Sequence, residues 1–373
     1  MSEKKSKAIR SILFIFPYPS GTAASQRFRF EQYLDFLPEN GLQYQLAPFM
    51  DEETWKILYK PGNTWKKIKG IGKGFLRRIG LLFSVHKYDF VFIHREATPV
   101  GPPFIEWIIA KVFRKRIIFD FDDAIWLPNT SENNSIIAGI KWHQKTKSIC
   151  QWAWKISAGN KYLADFAKSS RKADKSEEKS VIVNPTTIDT KNLHNRLKEQ
   201  NTDSFVIGWT GTHSTIGYLE SLLPVLKKLE EDYSFTFLVI SDRKPDFNLK
   251  SLQYIPWTKA TEANDLLRMN VGVMPLRDDQ WSRGKCGFKA LQYMSLGIPA
   301  LASPVGVNAD IIQHGTDGFL CSEPQEWIDC IKLLIHDVEL RTTMGFIARQ
   351  KIDKIYSVTG NQNNFICLFQ TQN

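Results

Sequence analysis

The sequence predicts an α/β protein made of two doubly wound domains, each a parallel sheet with helices on both faces. Three observations carry this. Short apolar runs of strand length alternate with longer amphipathic stretches. The alternation stops in a polar stretch, residues 191–203, and then restarts. The chain has 373 residues, too many for one domain at about 100–200 residues each.

In the first half the apolar run Ile12–Phe16 reads as a strand. Ser25–Leu37 has helical spacing, with Phe28, Tyr33, Leu34 and Leu37 on one side. Phe90–Ile93 is a strand ending at His94, Phe104–Phe113 a helix, Arg116–Phe119 a strand running into acids, and Val181–Val183 a strand stopped by Asn184-Pro185. In the second half Phe205–Gly208, Phe235–Ile240, Val271–Met274 and Ala300–Ala302 are strands, Leu219–Leu229 is a helix, and Val338 to about Tyr356 is helical. The expected organisation is a first domain over 1–190, a linker over 191–203, a second domain over 204–350, and a tail over 351–373 that packs back on the first domain.

No segment approaches the roughly 18 consecutive apolar residues of a membrane span. The apolar run behind the charged start MSEKKSKAIR is too short for a signal peptide core, so a cytoplasmic protein is expected. Five cysteines at 150, 286, 321, 330 and 367 form no CxxC pair, and neither a disulfide framework nor a zinc site is expected. The net charge of +10 is uneven: residues 1–190 carry 30 Lys+Arg against 19 Asp+Glu, the remainder 19 against 20. A basic first half calls for an anionic partner: a membrane surface, nucleic acid, or a phosphorylated acceptor.

Ligands of doubly wound sheets lie at the carboxyl ends of the strands, so the residues that follow each strand are the candidates. The strongest feature is the run Trp281 to Pro299. Gly284 and Gly287 admit close backbone approach. The helix from Phe288 points N–H groups at an anion, and Lys285 and Lys289 add charge at that end. Cations are unfavourable at a helix N-terminus, which suggests a diphosphate between them. A solvated lysine pair on an ordinary helix is the alternative. At Gly208-Trp-Thr-Gly-Thr-His-Ser-Thr215 a strand runs into a loop of glycine and hydroxyl residues. Gly211 and Thr212 suit a phosphate cradle, although Thr212 or Ser214 would serve equally as an N-cap.

The run Phe288-Lys-Ala-Leu-Gln-Tyr-Met-Ser-Leu-Gly-Ile-Pro-Ala-Leu-Ala-Ser-Pro-Val-Gly306, followed by Asp310-Ile-Ile-Gln-His-Gly-Thr-Asp-Gly-Phe-Leu320, resembles the donor-binding signature of the group 1 (family 4) glycosyltransferases. The resemblance extends more weakly over most of the chain. It implies two Rossmann-like domains facing a central cleft (GT-B), a nucleotide-sugar donor, no cofactor, no metal, and retention at the anomeric carbon. One departure stands out. The family carries two glutamates seven residues apart in this element, and here they fall on Gly284 and Gln292. Gln292 can still bond a ribose diol, without charge. The corresponding loop after the first strand of the family's second domain usually holds an Arg and a Lys. Gly208–Thr215 has neither, so Lys285 and Lys289 are expected to carry the diphosphate charge. The resemblance also implies that Trp257, after Ile255-Pro256, stacks on the nucleotide base. A core tryptophan is the alternative.

In the first half, Gly21 permits a sharp turn after the first strand, in a loop that the resemblance sets facing the donor diphosphate and the acceptor. Arg27 and Arg29 suit a phosphorylated acceptor. His94-Arg95-Glu96 and Asp120-Phe-Asp122-Asp123 follow strands. His94 and Asp122 are the candidate catalytic groups here, with Lys285 beside the leaving group, and Arg95 and Asp123 are candidate acceptor contacts. A buried structural histidine and a helix-capping aspartate are the alternatives. An Asp-x-Asp triplet invites a metal reading, which two Rossmann-like halves argue against.

The stretch Trp55 to Phe83 holds eight Lys or Arg and no acid, interleaved with Trp55, Trp65, Ile68, Ile71, Phe75, Leu76, Ile79, Leu81, Leu82 and Phe83. That composition suits an anionic membrane surface. Glycines at 70, 72 and 74 weaken a continuous helix, and a solvated basic helix is the alternative. Transfer of a sugar to a lipid-linked or phosphorylated acceptor, in envelope polysaccharide synthesis, is the favoured reading. A sugar-nucleotide epimerase of the same fold and a non-enzymatic basic binding module are the competitors. With no RRM-like or zinc-finger motif, no nucleic-acid partner is expected.

Overall fold

The computed structural model describes residues 9–371, except 59, 61, 129–141 and 172–179. The chain forms two compact units, Met1–Pro185 with Gln362–Asn373, and Thr186–Asn361.

Unit 1 is built on a six-stranded sheet in the order β2-β1-β3-β4-β5-β6. The strands are β1 Arg10–Phe16, β2 Leu42–Pro48, β3 Phe90–His94, β4 Arg116–Phe121, β5 Lys155–Ala158 and β6 Val181–Val183. All its pairings are parallel. Helices cover both faces of such a sheet, so its strands read as unbroken apolar runs. Ile12–Phe16 and Phe90–Ile93 are fully buried throughout.

The helix expected over Ser25–Leu37 is instead three short pieces, Ala24–Arg27, Glu31–Tyr33 and Phe36–Glu39. Phe28, Arg29 and Phe30 are all buried in succession, which one face of a regular helix does not allow. The glycine-rich stretch departs in the other direction. Thr64–Leu82 is one continuous helix of 19 residues. Gly70 and Gly74 form its packing face, where an added Cβ would lie 2.2 Å from Thr54 Oγ1 and 2.6 Å from the Phe49 ring.

The last residues complete unit 1. Phe365 stacks on Tyr33 at 4.5 Å between ring centroids, and Phe369 lies 5.9 Å from Phe90. Both phenylalanines are buried. Arg10 and Lys155 donate to the carbonyls of Phe369, Cys367 and Gln370.

Unit 2 has a second all-parallel sheet in the order β12-β11-β10-β7-β8-β9. Its strands are β7 Val206–Gly211, β8 Thr236–Ser241, β9 Leu252–Pro256, β10 Val271–Met274, β11 Ala300–Ala302 and β12 Gly318–Leu320. Residues 191–203, read as a linker, lie within this unit. Gln200 is buried there, bonding Asn270 and Arg341. Arg341 also donates to the carbonyls of Leu334 and Ile335, so one guanidinium ties that segment to the Pro324–His336 helix.

Candidate functional site

In unit 2 the chain runs outward from β7 through β8 to β9 on one side, and from β10 through β11 to β12 on the other. The carboxyl ends of β7 and β10 therefore flank the point where doubly wound sheets take ligands. Gly211 ends β7, and the Phe288–Ser295 helix lies in the connection from β10 to β11.

Tyr293 fixes that helix to the sheet. An added Cβ at Gly272 of β10 would come within 2.3 Å of its ring, so glycine is required there by close approach. The Tyr293 hydroxyl accepts from Thr210 N at 3.1 Å and donates to Val273 O at 3.4 Å. Burial pushes its phenol up, which keeps it neutral and able to donate. At the other end Arg349 donates to Ser295 O, satisfying a terminal carbonyl of the helix.

The helix begins at Gly287, whose φ of 67° is left-handed and whose Cβ position would strike Ile311 at 2.2 Å. Phe288 follows, half-buried. The Lys289 ammonium lies 5.4 Å from the Trp209 ring centroid, so the first turn of the helix reaches the end of β7. The Lys285 ammonium lies 4.8 Å from the Trp281 ring.

Gly211 is called for by packing: its Cβ position would fall 2.4 Å from the Trp209 ring and 2.8 Å from Thr215 Oγ1. Thr212 is an N-cap, in a capping box with Thr215. One donor of the expected phosphate cradle is already taken. Asp242, which follows β8, accepts from His213 N and contacts His213 Nδ1, both at 2.6 Å.

Trp257 follows β9, half-buried, and its backbone N–H donates to Ser241 O at 2.9 Å. Gln292 is buried and its Nε2 donates to Glu262 Oε1 at 3.3 Å. Glu262 opens the Glu262–Leu266 helix and is itself 5% exposed. A carboxylate is therefore present beside position 292 although the residue there is an amide.

In unit 1 the ends of β3 and β4 hold a buried network. His94 pairs with Asp120 in the sheet register, and His94 Nδ1 lies 2.7 Å from Asp120 Oδ2. His94 Nε2 is fully buried and makes no hydrogen bond among the described residues. Burial alone would raise the Asp120 carboxyl, but the Arg29 guanidinium and the His94 hydrogen bond hold it well below the usual carboxylate range. Arg29 also bonds Asn184 O and Ser157. It is 2% exposed. Arg27 is also buried, its guanidinium 5.0 Å from the Phe28 ring centroid.

Arg95 is left-handed at φ 61°, rare for a residue with a side chain. Its guanidinium bonds Asp122 at 2.7 Å and Asp123 at 3.4 Å. The three candidates thus form one partly exposed cluster, with the acids facing a cation of the chain. Gly21 turns at φ 75° and donates to Glu31 at 2.9 Å. Gln26 bonds Tyr18, Pro19 and Glu31 and pins that loop from below. Gln26, Glu31, Glu262 and Asp242 were missed in the sequence, where nothing marks them except position near a strand end. Among the described residues no group of three or more His, Cys, Asp or Glu is placed to hold a metal.

Residues 204–337 match the family model described as Glycosyl transferases group 1. No curated protein matches the chain. Among solved structures, sucrose-phosphate synthase from Thermosynechococcus elongatus is similar at a TM-score of 0.69 and 11% identity, over 96% of this chain and 98% of that one. HepE from Anabaena, in complex with UDP-glucose, is similar at 0.62 and 13%, over 96% and 98%. The lipopolysaccharide outer core galactosyltransferase WaaB is similar at 0.59 and 14%, over 96% and 98%. At these identities the likeness establishes the fold, two Rossmann-like domains of GT-B type.

Proposed function

We propose that this chain, of GT-B fold and with the group 1 glycosyltransferase sequence in its second unit, moves a sugar from a nucleotide-sugar donor to an acceptor hydroxyl. The observation that carries the reading is the Gly287 helix start. It presents Lys289 toward the end of β7, inside the segment that matches the family model. There Lys289 and Lys285 stabilise charge on the departing diphosphate, the group whose charge grows most in the transition state. Gln292 and Glu262 together offer the ribose diol an amide and a carboxylate. Trp257 walls the base.

On the acceptor side, His94 is held in place by Asp120 through Nδ1. The Arg95–Asp122–Asp123 cluster orients the acceptor. Transfer proceeds with retention and without metal, the leaving phosphate taking the acceptor proton. The acceptor is lipid-linked or phosphorylated, and the work is done at the inner face of an anionic membrane. The basic charge of the first half supports this, as does the lipopolysaccharide outer core named for WaaB.

A thermal-shift screen against UDP, GDP and their sugars tests the proposal. UDP-glucose comes first, since HepE is complexed with it. A nucleotide at a hundred times its Kd adds about 2.7 kcal/mol, or about 5–10 °C for a unit of this size. No shift with any nucleotide sinks the reading.

A further inference from the structure

The Thr64–Leu82 helix is mounted inside out. An amphipathic helix on a globular domain normally turns its apolar stripe to the core. Here the face against unit 1 is Gly70, Gly74 and Arg78, one residue per turn along a single line. Arg78 is 1% exposed and donates to the carbonyls of Phe16, Ala47 and Ala97 at 2.7–2.9 Å. Phe75 packs its ring 5.4 Å from that of Phe49, and Ile71 is half-buried, but five other apolar side chains point the other way. Trp65 is 84% exposed, Ile68 54%, Leu76 69%, Ile79 51%, and Phe83, just beyond the helix end, 79%. At 3.6 residues per turn these positions share an arc of roughly 80° opposite the anchored line. Lys66, Lys69, Lys73 and Arg77 run along one flank of that arc, all exposed. Arg77 pairs with Asp51, whereas the three lysines have no acidic partner among the described residues.

A second exposed apolar element adjoins the first. The Phe104–Trp107 helix packs against Thr64–Leu82. Its two aromatic rings stack at 6.1 Å, yet Phe104 remains 62% exposed and Trp107 42%. Trp55, by contrast, is half-buried with its ring 4.7 Å from that of Tyr18, so the outward surface starts at Trp65.

We propose that this two-helix face docks unit 1 on an anionic lipid surface. The Trp65–Phe83 stripe and the Phe104–Trp107 pair sink to the level of the acyl boundary, and the lysines lie at the phosphates. This rests on the reading of a membrane-held acceptor and names the surface that meets the membrane. An outward aliphatic stripe flanked by lysine is the pattern of a helix lying in the interface plane. A protein partner's core would be poor in lysine, and a nucleic acid would leave the aliphatic stripe uncovered. Through Arg78 the docked helix is tied to the carboxyl ends of β1 and β2 and to the segment after β3, the same edge that carries Gly21, His94 and Arg95. Docking therefore holds that edge at a set height above the headgroups.

The test is flotation of the full chain with vesicles of equimolar phosphatidylcholine and phosphatidylglycerol, against phosphatidylcholine alone. Binding to the anionic vesicles is expected. The triple variant K66Q/K69Q/K73Q loses on the order of a hundredfold in partition. The triple variant W65S/L76S/F83S loses the fraction that survives high salt. Both variants keep the wild-type melting temperature and the nucleotide-induced shift. A wild-type chain that ignores anionic vesicles, or variants that float as it does, overturns the proposal. So does a dimer that W65S/L76S/F83S converts to monomer, since the stripe would then be a self-interface. Vesicle binding without any nucleotide shift leaves this inference standing and removes only the sugar-transfer reading.

Discussion

Replacing Lys289 with alanine separates a diphosphate contact from a surface charge. The ammonium sits at the first turn of the Phe288–Ser295 helix, against the Trp209 ring at the end of β7. A hydrogen bond from a charged group contributes about 1.5–3 kcal/mol. Lys289 is half-buried, so partial screening sets the lower part of that range, about 1.5–2 kcal/mol. That is roughly a 10- to 30-fold rise in Kd for a nucleoside diphosphate. The unliganded protein should lose the contact with Trp209, about 0.5–1 kcal/mol. Isothermal titration with the nucleoside diphosphate and with the bare nucleoside reads both legs. The first affinity should fall and the second should hold. Lys289→Arg should keep most of the diphosphate affinity, and Lys285→Ala should weaken it in the same direction. A Lys289→Ala protein that binds the diphosphate within about twofold of wild type, against the 10-fold minimum, refutes the assignment. So does an equal loss for the nucleoside.

Three further outcomes follow from the geometry. Glu262→Ala should weaken a ribonucleotide by about 1–2 kcal/mol and leave its 2′-deoxy counterpart nearly unchanged, measured by the same titration, because only the ribose offers a diol. Gly272→Ala places a methyl against the Tyr293 ring, so unit 2 should lose about 1–3 kcal/mol in urea unfolding, and a wild-type midpoint would show the helix free to shift. Asp120→Asn leaves Arg29 buried without its counter-charge and should cost about 3–5 kcal/mol near neutral pH. The folded carboxyl of Asp120 is lowered, so its contribution is complete above the unfolded value near 3.9 and is lost as pH falls toward the folded one. The gap between wild type and Asp120→Asn should therefore hold at neutral pH and narrow on acidification below about pH 4, and a pH-independent gap would contradict it.

The central strands were legible because parallel strands buried on both faces leave continuous apolar runs, as in Ile12–Phe16 and Phe90–Ile93. Strand β2 was not, because LQYQLAP mixes exposed polar and buried apolar positions and ends in proline. Glycine propensity pointed the wrong way at residues 70–74, where close packing on Thr54 and Phe49 outweighs the entropy that glycine gives up in a helix. The candidate residues were found by their place after strands. Their partners were out of reach: Asp242 lies 29 positions from His213, Glu262 30 from Gln292, and Asp120 91 from Arg29. Pairings over such separations are made by topology and leave no local pattern.

The return of residues 362–373 to the first unit sets an order of events during synthesis. When a ribosome has made residues 1–185, the strands of the first sheet exist but Phe365 and Phe369 do not. Tyr33, Phe90 and Phe92 are then open on the side those rings later cover. The second unit, contiguous from Thr186 to Asn361, has every residue it needs before the first is finished. The unit begun first is thus closed after the second unit has been made, and a nascent chain carries an aromatic surface unsealed until residues 362–373 emerge.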